Sequence, residues 1–557
     1  MAVWLERKPE REYFDFDDII TRLSDIYGVE DLDEWLKPTK ASVHDPYTID
    51  NIVEVGMRII KAIEDGEMIT VSYDVDSDGI TSGSILIRYL KQFTSNINYV
   101  YGQRNDGHGI GVQFIPEETQ LLIVVDSSTN ETEVCKELFC DGVNQIIIID
   151  HHPKTQDNPY ALIVNNQLDN YPNKELSGAG MVFKVVQVLD DLLSQETHQE
   201  FIDMAGIGIS GDVMSMKEKE NRYFVYQALN NIMNYGLSAI LEVSKIDQDN
   251  MSTQTIGFDI VPVINACARL GKIEIMIELL LEDDYSRCLE LAKEAISLNK
   301  ERKKITKKLT KKIETYLDTS NAVIISVEEG GLDDERGFNG LIATGIAEKY
   351  QKPTIICKKK NGICMGSARG IGSIKFKEVL ESTGLFHLLE GHQGAFGIGF
   401  KEEDLDKIHN ELNKKLKNVK EKVVYYDIEL KLSDITFKLI EDIMKFNMLA
   451  GKDAYNTKVL IKDVEVIERK LLGKTKVKDT VKFVCENKLD ILKFRTTEDF
   501  AEEVKEGDLI DVICNLSINS FFNWGTRENV VSKQGILIDY KLSDKNKSKI
   551  DLINLKY

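Results

Sequence analysis

The sequence predicts an α/β protein: a parallel-sheet domain, then a smaller α/β domain, then a mostly β domain. Three observations lead there. From 68 to about 215, short apolar runs alternate with helical patterns, which implies a parallel sheet with right-handed crossovers. A second strand–helix–strand alternation begins near 318. From about 421 the pattern becomes a series of short strands. At 557 residues the chain has room for about three or four domains of about 150 residues each.

Composition narrows the class. The chain carries 70 basic and 92 acidic residues, a formal charge of −22. This argues against a general coat of positive potential, but a local basic groove can still bind nucleic acid. No apolar run reaches the roughly 18 residues that span a membrane. Met1 to Arg11 is dense in charge of both signs and has no signal-peptide core. A cytoplasmic protein with no membrane partner is expected. The eight cysteines lack CxxC spacing and mostly sit in or beside apolar runs, as reduced core thiols do. No structural zinc site is expected.

Taken in order, residues 1–67 read as a helical lead-in. Asn51–Ile63 has helical apolar spacing, with Pro46 and Asp50 suited to the turn and cap before it. Ile69–Val71 closes a buried strand, and Ile80–Leu90 reads as a helix. Leu121–Val125 ends in Asp126, and Gln145–Ile149 ends in Asp150-His151-His152. Ala205–Ile209 reads as a fourth strand, leading into Gly211-Asp212. Four strand tips thus present acids or imidazoles at one sheet edge, where open α/β sheets bind ligands.

Residues 272–317 read as helical, with Lys303, Lys304, Lys307, Lys308, Lys311 and Lys312 on two adjacent stripes. These form either a solvated face or a positive wall beside a nucleic-acid path. Next, Ala322–Val327 and Thr354–Cys357 read as strands around a helix at Gly340–Tyr350. Gly366-Ser367-Ala368-Arg369 and Glu390-Gly391-His392 follow, a weak phosphate-binding signal. Strands are then expected at Lys458–Glu468, Thr480–Cys485, Leu489–Phe494, Leu509–Leu516 and Gly535–Tyr540. Asn519, Phe521, Phe522, Asn523 and Trp524 cluster after the fourth. This suits an OB-like barrel, interrupted by a helix over Ser433–Leu449, whose aromatics either stack bases or edge the core.

The most informative stretch is Asp74-Val75-Asp76-Ser77-Asp78-Gly79. Alternate residues of extended chain point the same way, so Asp74, Asp76 and Asp78 would project together. Carboxylates crowded like that either take up protons or hold a cation, and hard divalent metals favour such oxygens. The plain alternative is a solvated acidic turn. A calcium loop begins similarly, but here a strand precedes it. The adjacent pair His151-His152 adds imidazole, a transition-metal ligand.

With Asp126, Asp150-His151-His152 and Asp212, this set resembles the four motifs of the DHH phosphoesterase superfamily. Arg104-Asn105-Asp106-Gly107-His108-Gly109, Val164-Asn165 with Ser177-Gly178-Ala179-Gly180, Glu220-Asn221-Arg222 and Asn265–Arg269 resemble segments of the RecJ single-strand exonucleases. Gly366–Arg369 and Gly391-His392 resemble the DHHA1 domain, with Glu390 replacing the first glycine of its GGH segment. The resemblance implies a lead-in at 1–67, a DHH domain at 68–271, connecting helices at 272–317, a DHHA1 domain at 318–420 and an OB-like domain at 421–557.

It also implies a 5′-to-3′ exonuclease on single-stranded DNA, acting through two divalent ions, Mn2+ or Mg2+. The expected metal ligands are Asp74, Asp76, Asp78, Asp126, His151 and Asp212, with Asp126 bridging. His152, Asp126 and Asp150 are the catalytic candidates. Arg104, Arg269, Ser367, Arg369 and His392 are the substrate-binding candidates. The expected partners are single-stranded DNA and a helicase or single-strand-binding protein, the chain itself being a monomer. Two rivals are a DHH phosphodiesterase acting on oligoribonucleotides or cyclic dinucleotides, and a non-catalytic replication scaffold.

Overall fold

The computed structural model describes residues 2–8, 19–102, 109–143, 145–168, 170–330, 336–372, 374–417, 423–473, 479–523 and 527–546. They form two units. One is Asp31–Ile305 with Met448–Tyr455; the other is Met1–Glu30 with Thr306–Asn447 and Asn456–Tyr557.

The first unit holds a five-stranded parallel sheet, ordered Ile97–Tyr101, Ile69–Tyr73, Leu121–Val125, Gln145–Asp150, Leu162–Asn165. Its central strands are buried throughout, which is why Leu121–Val125 and Ile146–Ile149 read as unbroken apolar runs. Ile123, Val125, Ile147 and Ile149 face one core, shared with Ile85, Phe183 and Phe224. Leu122, Val124, Ile146 and Ile148 face another with Cys135 and Leu138. The period of two therefore sorts each strand between two cores.

Several expectations are corrected. Ala205–Ile209 is not a strand but part of the helix Ile202–Gly211. A short buried apolar run suits either element, and Gly206 and Gly208 favour close helix packing. A Cβ on Gly206 would lie 2.4 Å from the Phe224 carbonyl oxygen, and one on Gly208 the same distance from Asp78 Oδ1. The helix expected at Ile80 begins at Ser77, with Asp76 as its N-cap. Asp74, Asp76 and Asp78 therefore do not alternate along a strand; they follow a strand-to-helix turn. The helix Ile52–Asp65 has Asn51, not Asp50, at its cap position, and Asn51 donates to the Ile163 carbonyl at 2.9 Å. The lead-in is not wholly helical, since Val3–Glu6 is a strand pairing in parallel with Val423–Tyr426.

Helices Ile273–Leu281 and Tyr285–Glu314 follow the parallel sheet in sequence, the second running 30 residues. In the second unit a mixed sheet is ordered Phe386–His392, Ala395–Lys401, Ile363–Arg369, Thr354–Lys360, Ile324–Glu329. Gly366 to Arg369 lies in a strand, where a Cβ on Gly366 would meet the Ile356 carbonyl at 2.0 Å.

The C-terminal sheet runs Ile428–Leu430, Val459–Leu472, Thr480–Cys485, Leu489–Phe494, Glu528–Leu542, Leu509–Asn523. Pairing of Val459–Leu472 with Leu509–Asn523 closes it, as an OB-like barrel requires. Its last two strands are longer than expected and absorb Asn519. The helix Phe437–Phe446 interrupts the strands. The side chains of Phe521, Phe522 and Asn523, and all of Trp524, lie outside the described residues. All eight cysteines are free, and only Cys140 is exposed. Among the described residues no helix is long and apolar enough to cross a membrane.

Candidate metal centre

The acids of the cluster come from several elements, Asp76 and Asp78 together from the start of the helix Ser77–Leu90. Asp74 follows the strand Ile69–Tyr73, and its Oδ1 accepts from the Val75 amide at 2.7 Å. Asp76 Oδ1 caps the helix Ser77–Leu90, accepting from Asp78 N at 2.9 Å and Gly79 N at 3.1 Å. A carboxylate at that position also suits the positive end of the helix dipole. Gly79 lacks the Cβ that would lie 2.6 Å from Asp74 Cβ.

Asp78 is buried, and the start of the helix Gly178–Leu193 fixes it. Ser177 Oγ donates to Oδ1 at 2.8 Å, Gly178 N to Oδ2 at 2.7 Å and Ala179 N to Oδ1 at 3.1 Å. Asp126 follows the strand Leu121–Val125 in left-handed backbone, φ 63°. Its amide donates to the Ile149 carbonyl at 2.8 Å. Asp212 comes off the C-terminal end of Ile202–Gly211.

His151 lies among them. Its Nε2 is 3.2 Å from Asp126 Oδ1, 3.5 Å from Asp212 Oδ2 and 3.9 Å from Asp78 Oδ2. Two ligand sets emerge: Asp74, Asp76 and Asp126, and Asp78, His151 and Asp212. A third set joins Asp126, Asp150, His151 and His152. Asp126 is in the first and third, and His151 is in the second and third.

Asp150 plays a different part, because hydrogen bonds engage both of its oxygens. Oδ2 accepts from the Thr129 amide at 3.1 Å and hydroxyl at 2.6 Å. Oδ1 faces His152 Nδ1 at 2.8 Å and accepts from the amides of His151 and His152. Asn165, on the neighbouring strand, donates to Thr129 Oγ1 and to the His152 carbonyl.

Electrostatics divides the acids in the same way. Burial, then the charges of Asp78, Asp76, Asp74 and Asp212, hold the Asp126 carboxyl well above the usual range. Burial, then Asp78 and Asp76, do the same to Asp212. Burial also opposes ionisation of Asp150. There, hydrogen bonding and charge from His152, the charge of His151 and the Thr129 hydroxyl overcome it and keep the carboxyl well below its ordinary value. Burial alone would depress His152, but the Asp150 bond and the charges of Asp150, Asp212 and Asp74 push it up to about 9.

These residues fit divalent cations. Asp126 Oδ1 is buried and makes no hydrogen bond among the described residues. Converging carboxylates that resist ionisation alone are stabilised as anions by a bound cation. The donors, several carboxylates with one imidazole, suit Mn2+ or Mg2+.

A buried network lies behind the cluster. Lys184 Nζ is 2.6 Å from Glu220 Oε1, both side chains fully buried. Glu220 accepts from Tyr171 Oη at 2.8 Å and Asn173 Nδ2 at 3.0 Å, which holds the segment leading to Ser177. No pattern in the sequence marks Thr129 or Lys184 as supporting residues. Only their contacts reveal them.

The substrate-binding candidates are divided between the units. Arg269 ends the helix Val261–Arg269 in the first unit. Arg104 lies outside the described residues, as does the side chain of His392. In the second unit, Ser367 and Arg369 share the strand Ile363–Arg369 beside the start of the helix Asn339–Tyr350. A Cβ on Gly340 would lie 2.6 Å from Arg369 Nη2 and 3.6 Å from Ser367 Oγ. Arg369 Nε donates to Thr344 Oγ1 at 3.1 Å and Nη1 to the Ala368 carbonyl at 2.8 Å. Burial disfavours its charge. Gly391, at φ 118°, supplies the tight backbone beside the substituted Glu390.

The chain resembles known proteins over nearly its whole length. The model of the DHH family, N-terminal domain, matches residues 68–209, and that of the RecJ OB domain matches 426–530. The chain is 30% identical over 547 residues to the SPbeta prophage-derived protein YorK of Bacillus subtilis, provisionally named a single-strand DNA-specific exonuclease. That match covers 91% of this chain and 94% of YorK. Identity is 28% over 548 residues to the single-stranded-DNA-specific exonuclease RecJ of Bacillus subtilis, covering 92% of this chain and 66% of RecJ. The crystal structure of Thermus thermophilus RecJ with Mn2+ superposes with a TM-score of 0.75 at 21% identity, covering 94% of this chain and 76% of that one. A Mg2+ complex of the same protein gives 0.70, covering 94% and 74%. Similarity at this level over nearly the whole length, together with the two family models, means that the chain belongs to the RecJ-like single-strand DNA exonuclease family of DHH proteins.

Proposed function

We propose that the protein is a metal-dependent exonuclease that degrades single-stranded DNA from the 5′ end to mononucleotides, in DNA repair or recombination in the cytoplasm. The observation that carries this is the buried meeting of Asp78, Asp126 and Asp212 around His151 Nε2. The names of the relatives support the substrate class.

On this reading Asp74, Asp76, Asp78, Asp126, His151 and Asp212 would hold two divalent cations. When bound, the cations would supply Lewis acidity toward the phosphodiester and lower the pKa of water. The chain's own groups do the rest. Asp150 orients His152, whose half-exposed ring is placed to donate a hydrogen bond to a phosphate oxygen. Arg269 and Arg104 steer the backbone, while Ser367, Arg369 and His392 take a terminal phosphate. The closed C-terminal sheet supports a polymeric substrate over a dinucleotide, which needs no extra binding domain.

The test is digestion of a long single strand labelled at either end, the matching duplex and a dinucleotide, each with Mn2+. Mononucleotides should be released from the 5′ end of the single strand only. Asp126→Ala should remove this activity with the fold intact. Activity in that variant, or preference for the dinucleotide, would overturn the reading.

A further inference from the structure

The segment Met448–Tyr455 lies far downstream in sequence, yet it is built into the first unit. Leu449 and Ala454 are buried in that unit's core. The Thr253 amide donates to the Met448 carbonyl at 3.0 Å, and its hydroxyl to the Ala450 carbonyl. Arg222, stacked 3.5 Å over the Trp35 ring, donates to the carbonyls of Met216 and Leu449. The Gly451 amide closes the turn on the Ala454 carbonyl at 2.8 Å.

At the centre of this segment is Lys452. Its carbonyl accepts from the Met216 amide at 2.9 Å, and it bridges in parallel to Ser215. Its Nζ lies 2.7 Å from Glu175 Oε2, which also accepts from the Ser215 amide at 3.3 Å. Asn221 Nδ2 ties the same two loops, donating to the carbonyls of Glu175 at 2.6 Å and Ser215 at 3.1 Å. One loop begins at Asp212 and the other leads to Ser177, whose hydroxyl holds Asp78. Between Asp212 and Ser215 stands Val213 at φ 56°, a backbone conformation unfavourable for a β-branched residue. Such a conformation persists where its surroundings fix it.

We propose that Met448–Tyr455 is a positioning strap for the metal centre, in which Lys452 clamps the loop after Asp212 to the loop before Ser177. Both loops then hold their carboxylates in register for a divalent cation. This inference rests on the metal-dependent reading above and adds a residue to it from a distant part of the chain.

Two effects of removing the Lys452 charge have opposite signs. Loss of a cation near the cluster favours Mn2+ by Coulomb attraction alone. Loosening the two loops disfavours it, and supporting groups of this kind typically change metal affinity by about 10–100-fold. The experiment is a Mn2+ titration of the full chain without DNA, reading free Mn2+ by electron paramagnetic resonance. Wild type, Asp126→Ala, Lys452→Met and Lys452→Arg are compared, with metal-free melting curves for each. Lys452→Met should bind Mn2+ about tenfold more weakly, and Lys452→Arg should recover most of that loss. Should Lys452→Met fail to fold, Glu175→Gln is to show the same weakening. Wild-type or tighter binding by the folded variant overturns the strap. Equal binding by wild type and Asp126→Ala overturns the metal assignment itself, so the two failures are distinct.

Discussion

Asp150 Oδ1 and His152 Nδ1 lie 2.8 Å apart, the carboxylate fully buried and the imidazole about half exposed. The same oxygen accepts from the amides of His151 and His152, so one atom fixes a ring and the turn that carries it. Asp150→Asn should lower single-turnover DNA cleavage by about 10–100-fold at saturating Mn2+. His152→Gln should cost at least as much, and the double variant little more than His152→Gln alone. Additive losses would show that the two residues act independently.

Gly178 is the second sensitive point. A Cβ there would lie 2.4 Å from Asp126 Oδ1 and 2.6 Å from Asp126 Cβ. Gly178→Ala should displace Asp126, weaken Mn2+ binding and lower cleavage by about 100-fold or more, in a chain that still folds. Gly345→Ala is the control. Gly345 lies within the helix Asn339–Tyr350 with nothing within 4 Å of its added Cβ, so the change should stabilise by about 0.5–1 kcal/mol.

Val213 gives a prediction of the other sign. It is 62% exposed and holds φ 56°, so the side chain adds strain and little burial. Val213→Asn should raise stability by about 1 kcal/mol, since Asn enters left-handed backbone far more readily. Denaturant unfolding monitored by circular dichroism checks this, and a destabilised variant would refute it.

Asp190 supplies a pH-dependent term remote from the metal ligands. The His198 amide donates to its Oδ2 at 2.7 Å, His198 Nδ1 lies 2.8 Å from the same oxygen and Thr197 Oγ1 donates to Oδ1 at 3.1 Å. Burial works against its ionisation, but these bonds prevail and the carboxyl is held below its usual 3.8. A depressed carboxylate contributes stability above its unfolded pKa and loses it as pH falls through the folded one. Thermal melts should therefore show wild type well above Asp190→Asn at pH 6. The gap should narrow as the pH drops below about 4. A constant gap down to pH 2 would contradict the assignment.

Much of the fold could be read from the sequence because the central strands are buried on both faces. Leu121–Val125 and Ile146–Ile149 had to be continuous apolar runs, and each is followed by an aspartate. The same rule misread Ala205–Ile209, since burial on all sides makes a helix look like a strand. Only Gly206 and Gly208, which let neighbouring helices approach, point to the difference. The acids Asp74, Asp76 and Asp78 were conspicuous by composition, but their geometry was not, because the N-cap role of Asp76 starts the helix three residues early. Lys452, Glu175 and Thr129 gave no local signal. Their significance comes from contacts between distant segments, which periodicity does not encode.

The strap also bears on when the enzyme becomes complete. A ribosome reaches Met448–Tyr455 only after the five-stranded sheet, the long helix and the mixed sheet have all emerged. Nascent chains shorter than this carry every acid of the cluster without the clamp beneath Asp212. If the strap acts as proposed, a chain still in synthesis would lack an ordered metal centre until most of the polypeptide exists.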